Sequence, residues 1–123
     1  MNSGANNRKN AARINRQERK LNAGFMHERF PEVSDIVINM VYNQRGLQKS
    51  LPRVVNYFPD SYAMFRINCL NKECLDGGFD FTILITGMIE KRKKIAKGSI
   101  NCEGESPSAN HATIVYDIAI QYV

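Results

Sequence analysis

Between Arg66 and Cys102 the chain reads R-I-N-C-L-N-K-E-C-L-D-G-G-F-D-F-T-I-L-I-T-G-M-I-E-K-R-K-K-I-A-K-G-S-I-N-C. Few folds accommodate that order: a strand enters a loop with two cysteines, a double glycine precedes a helix, and a returning strand carries a third cysteine. Phe81, Leu84, Ile85, Met88 and Ile89 fall on one helical face, and Ile95 lies further along the same stripe. Asp80 suits the N-cap, and the cations from Lys91 to Lys94 complement the carbonyl end of the dipole. Gly98 suits the position just past the helix, so the spacing predicts a helix over about 80–96. Gly87 inside it is a cost that a close approach to a neighbouring sheet would explain.

The flanking segments alternate with the period of strands. Ile36, Ile38, Met40 and Tyr42 share one face of a strand over Ser34–Asn43. Ala63, Phe65, Ile67 and Cys69 share one face of a second strand over Tyr62–Cys69. Ile114, Tyr116, Ile118, Ile120 and Tyr122 do the same over Thr113–Val123, with a short strand at Ser99–Glu103 before it. Residues 47–60 are less regular, and Val54, Val55, Tyr57 and Phe58 predict a short edge strand there. The expected fold is therefore α+β: a mostly antiparallel sheet of four to five strands with one amphipathic helix on one face.

Charge divides the chain. Residues 1–30 contain Arg8, Lys9, Arg13, Arg16, Arg19, Lys20 and Arg29 against only Glu18 and Glu28, and this accounts for the whole net charge of +5. Residues 31–123 are neutral overall. The reading is an arm at 1–30, largely disordered or marginally helical, followed by one α+β domain at 31–123. Ile14 and Leu21 are the only large apolar residues in the helical part of the arm, too sparse a stripe for an autonomous helix. Phe25, Met26 and Phe30 are expected to pin the arm to the core.

No apolar run reaches the roughly 20 residues of a membrane span, and no apolar segment follows the N-terminal cations as in a secretory signal. The cytoplasm is the expected compartment. Three cysteines are an odd number, which argues against a disulfide framework there.

Cys69 and Cys74 have the spacing of a zinc knuckle, and Cys102 and His111 would flank a loop between adjoining strands. Three thiolates and an imidazole make a closed, structural tetrahedral site; Asp76 or Glu103 are alternative fourth ligands. The competing reading makes the thiols small buried hydrophobes with no metal at all. Cys69, Cys74 and Cys102 give the chain a general resemblance to zinc-ribbon proteins, in which two knuckles share a metal. The likeness departs at the fourth position, where a ribbon has another cysteine close behind Cys102.

Other chemistry is poorly represented. L-D-G-G-F-D at Leu75–Asp80 lacks the Lys and Ser/Thr of a P-loop, and Asp76 and Asp80 would repel an anion, so Gly77-Gly78 reads as a sharp turn into the helix. Cys74 with His111 is the one Cys–His combination, with nothing around it to mark a nucleophile. An enzyme is not expected, nor is a small-molecule substrate. Arg53, Tyr57, Phe58, Tyr62, Phe65 and Arg66 interleave cations with aromatics as nucleic-acid binders do, although most of the group reads as packing. The expectation is a small non-catalytic binding or regulatory protein. Nucleic acid would meet the arm through Arg8, Lys9, Arg13, Arg16, Arg19 and Lys20, with Lys91, Arg92, Lys94 and Lys97 adding charge. The alternative is a protein–protein adaptor or oligomerising domain with neither metal nor nucleic acid.

Overall fold

The long alternating segments form the centre of the sheet. In the computed structural model, which describes residues 13–15, 17–44, 50–70, 77–102 and 112–123, β1 (Val33–Gln44) and β6 (Ala112–Tyr122) run antiparallel along nearly their whole lengths. β2 (Ser50–Tyr57) pairs with the free side of β1, and β5 (Ile95–Asn101) with the free side of β6. The result is a four-stranded antiparallel sheet of order β2-β1-β6-β5. No helix among the described residues is long and apolar enough to cross a membrane.

One face of this sheet is dry. Ile36, Ile38, Met40 and Tyr42 of β1 lie beside Ile114, Ile118 and Ile120 of β6, all buried. A smaller antiparallel ribbon of β3 (Arg66–Asn68) and β4 (Gly78–Asp80) adds Ile67 and Phe79 to the same core. Helix α3 (Thr82–Glu90) adds Ile85, Met88 and Ile89, and Phe81 just before it is edge-on to Tyr116 of β6 at 5.2 Å. Full burial of side chains this size is worth roughly 1.5–3 kcal/mol each, so the shared core is the main stabilising term.

The structure departs from the sequence pattern at both ends of this unit. The strand expected over Tyr62–Cys69 contracts to β3 and leaves the main sheet. Its first half bonds instead to the chain around Gly24: Ala63 N–H donates to Gly24 O at 2.7 Å, Met26 N–H to Ser61 O at 2.8 Å, and Phe25 bridges Tyr62. The helix is shorter than 80–96. It stops after Glu90, no basic residue stands in its last turn, and Ile95 begins β5 with its side chain exposed. Arg92, not Gly98, takes the left-handed position, at φ 54°, while Arg92 N–H donates to Ile89 O and Lys93 N–H to Met88 O. That is the double closure of a Schellman end. Phe81, not Asp80, takes the N-cap position and makes no side-chain cap bond; Asp80 ends β4, and its Oδ1 accepts the Thr82 N–H at 2.9 Å from one residue further back.

The glycines also have different reasons from those expected. Gly98 lies across from Tyr116, and a Cβ there would stand 2.7 Å from the phenol oxygen. Gly78 lies in β4, where a Cβ would meet Ile67 O at 2.7 Å, so it serves a close ribbon approach and not a sharp turn. At Gly87 a Cβ would meet none of the described residues within 4 Å, so the expected close contact with the sheet is not made by them.

Candidate functional site

Residues 13–15 and 17–23 are helical and form α1; a one-turn helix, α2 (Met26–Arg29), follows it. The connection between them is anchored. Met26 is buried, His27 N–H donates to Pro59 O at 3.0 Å, and Arg29 Nη1 donates to Ala23 O at 2.9 Å. Phe25 stacks on Tyr62 at 4.7 Å and on His27 at 5.6 Å, while Lys20 Nζ sits over the Tyr62 ring at 5.4 Å. Phe25 and Met26 therefore pin the arm as anticipated, and Phe30 packs at the core margin against Phe65, 5.9 Å away.

This anchoring leaves a cleft of about 570 Å³ between α1 and the body. Arg13, Gln17 and Lys20 come to it from one face of the helix, at i, i+4 and i+7. Arg66 and Asn68 reach it from β3, Asn56 and Tyr57 from β2, and Asp60, Ser61, Tyr62 and Met64 from the segment between. Three cations thus meet one carboxylate in a cleft that also offers amides, a hydroxyl and aromatic edges. Such a lining suits an anionic ligand with hydrogen-bonding groups of its own. Tyr57 closes the inner wall. Its hydroxyl donates to Met64 O at 2.8 Å, and burial pushes its pKa up to about 12, so it remains a neutral donor at ordinary pH.

The interleaved group is thus divided by the fold. Tyr57, Tyr62 and Arg66 line the cleft, while Phe65 is core. Gln17, Asn56, Ser61 and Asn68 carry no pattern in the sequence that would have found them; only the seating of α1 assembles them.

Arg13, Arg19 and Lys20 are exposed on α1, and Arg8, Lys9 and Arg16 lie outside the described residues. Lys91, Arg92, Lys94 and Lys97 are exposed around the start of β5, at the sheet edge opposite β2. Arg92 stacks over Tyr122 at 5.3 Å, and Lys97 pairs with Asp117 at 3.8 Å. Among the described residues, Arg13 and Lys20 lie on the β2 side of the sheet and the second group lies at the β5 edge, so these two sets do not merge into one patch.

Of the expected metal ligands, Cys74 and His111 lie outside the described residues. Cys69 Sγ is 3.7 Å from Tyr42 Oη, and Cys102, buried, donates its N–H to Ala112 O at 3.0 Å. Ala112 pairs with Gln44, two residues from Tyr42, so both thiols lie toward one end of the sheet. Among the described residues no group of three or more His, Cys, Asp and Glu side chains is gathered as metal ligands would be. Comparison with protein-family models, curated proteins and solved structures finds no match.

Proposed function

We propose that this is a non-catalytic nucleic-acid-binding protein of the cytoplasm, in which the basic arm and the cleft beside it form one binding surface. The observation that carries the reading is the convergence of Arg13, Lys20 and Arg66 with Tyr62 on a single cleft of about 570 Å³. Phosphates would pair with the cations, and sugars and bases with the amides and rings. Such a strand-tracking surface needs no deep pocket. The charge bias fits, since the surplus cations of the chain lie within residues 1–30.

Fluorescence anisotropy against labelled single-stranded RNA, single-stranded DNA and duplex tests it. Binding should weaken on removal of residues 1–20 and on Arg13→Ala or Lys20→Ala. Each substitution should lower the slope of log affinity against log salt by about 1 if its cation neutralises a phosphate. Affinity indifferent to the truncation would overturn the reading.

The same reading includes a structural zinc held by Cys69, Cys74, Cys102 and His111, a donor set that suits that ion and would tie the β3 end to the β5 end. A second reading, a protein adaptor, is favoured by a different observation. Ile14 and Leu21 lie on one side of α1 and are 51% and 65% exposed, a short apolar stripe that no described residue covers. Loss of a protein complex on Ile14→Asp, in a chain that binds no nucleic acid, is the result that selects it.

A further inference from the structure

The dry face of the sheet is covered by α3 and the β3–β4 ribbon; among the described residues no element covers the other face, where Val54, Ile95 and Val115 are exposed. Four rows cross it, each contributed by all four strands: Asn56–Val37–Ala119–Ile95, Val54–Asn39–Asp117–Lys97, Pro52–Val41–Val115–Ser99 and Ser50–Asn43–Thr113–Asn101. The first and third rows are mainly apolar, and Val54, Val115 and Ile95 are all more than half exposed. A shallow groove runs over the face between Val41, Pro52, Val54 and Val115. The only charges in the four rows are Lys97 and Asp117, which pair with each other at 3.8 Å. A face this neutral offers nothing to a polyanion, and it stands out on a chain of net charge +5.

We infer that this face is the interface of a homodimer, two copies packing open face to open face as a β-sandwich. The face is self-complementary. A two-fold axis running along the strands midway between β1 and β6 lays β6 of each copy on β1 of the other, row for row. Val41 then meets Val115, Val37 meets Ala119, and the Asn39 amide meets the Asp117 carboxylate, each contact occurring twice. Lys97 falls at the rim, over Val54, where its ammonium stays wet. Aligned sheets packed in this way stand about 10 Å apart and cross at about 30°. At about 4.8 Å between strands and about 6.8 Å between rows, the face is roughly 500 Å² when flat. Side-chain relief carries its accessible area toward the roughly 800 Å² that each partner of a standard interface gives up. Arg13 and Lys20 of α1 line the cleft beside β2, which shares with this face its edge residue Asn56.

Sedimentation or light scattering of the full chain tests the inference at about 100 µM, well above the micromolar upper end for standard interfaces. The expected result is twice the monomer mass. Val41→Lys and Val115→Lys, made separately, should each return it to monomer mass with the melting profile of a folded domain, because both side chains point away from the core. A wild-type chain at monomer mass overturns the inference. So does a dimer that survives both substitutions, since it would be built through another surface such as a sheet edge.

Discussion

Replacing Gly87 by alanine should make this protein more stable, and the size of the gain follows from what surrounds the residue. Glycine inside a helix costs about 1 kcal/mol relative to alanine, mostly as backbone freedom surrendered on folding. That cost is tolerable where the missing side chain permits a close contact. At Gly87 it does not: the position is within α3, its φ is not positive, and the added methyl would meet none of the described residues within 4 Å. Discounting for its nearness to the end of a short helix, the gain is about 0.5–1 kcal/mol. With a urea m-value near 1.5 kcal/mol per molar, the midpoint should rise by about 0.3–0.7 M at unchanged m. Gly98→Ala is the control of opposite sign, because its methyl would lie 2.7 Å from Tyr116 Oη and displace the ring from its edge-on contact with Phe81. Urea unfolding followed by far-ultraviolet circular dichroism measures both variants. A Gly87→Ala protein that is no more stable than wild type, or less, would refute the reasoning. It would mean that some surface other than the described residues approaches Gly87.

Three further outcomes are expected. Arg92→Gly removes a left-handed non-glycine residue, worth roughly 1 kcal/mol, and forfeits part of that by losing the stack on Tyr122; thermal unfolding should rise by a few degrees. The Tyr57 phenol titrates at about 12 in the fold against about 10 in the unfolded chain, so the unfolded state loses its proton first. Stability should be flat with respect to this group below pH 10 and fall by roughly 2–3 kcal/mol by pH 12, and Tyr57→Phe should abolish that component in a pH series of unfolding curves. Native mass spectrometry should find one zinc per chain, lost on Cys69→Ser or Cys102→Ser; a metal-free folded chain eliminates the structural zinc.

The parts of the fold that were legible are those in which side-chain burial alone decides the outcome. β1 and β6 carry strict alternation because one face of each is dry, and the register simply aligns the two apolar sets. The helix start was legible through Asp80 and Phe81. Its end was not, because Ile95 continues the helical stripe by coincidence of spacing. The turn is made by Arg92, a residue with no preference for left-handed backbone. β5 was half hidden for a related reason: Lys97, Gly98 and Ser99 carry no strand preference, and pairing with β6 imposes the conformation. Tyr62–Arg66 alternates like a strand, yet Tyr62 and Ala63 find their backbone partners around Gly24, more than thirty residues upstream, while Phe65 and Arg66 pair with Phe81 and Asp80. The cleft depends on that long-range seating, so its amide and hydroxyl members could not be read from local pattern, while its cations could.

The position of β6 bears on how the chain reaches its native state. β6 is the last strand in the sequence, yet it occupies an interior place between β1 and β5, and its partners on β1 lie most of the chain length away. A chain lengthening from its N-terminus has only the β1–β2 hairpin to form at first, with Ile36, Ile38, Met40 and Tyr42 uncovered. A hairpin alone is marginal in water, and neither α3 nor the ribbon has a complete surface to pack on until β6 arrives. Acquisition of structure should therefore be late and concerted, with the slow rate that distant strand pairing imposes. The uncovered side of β1 is where a nascent or refolding chain is most exposed to sticking to its neighbours.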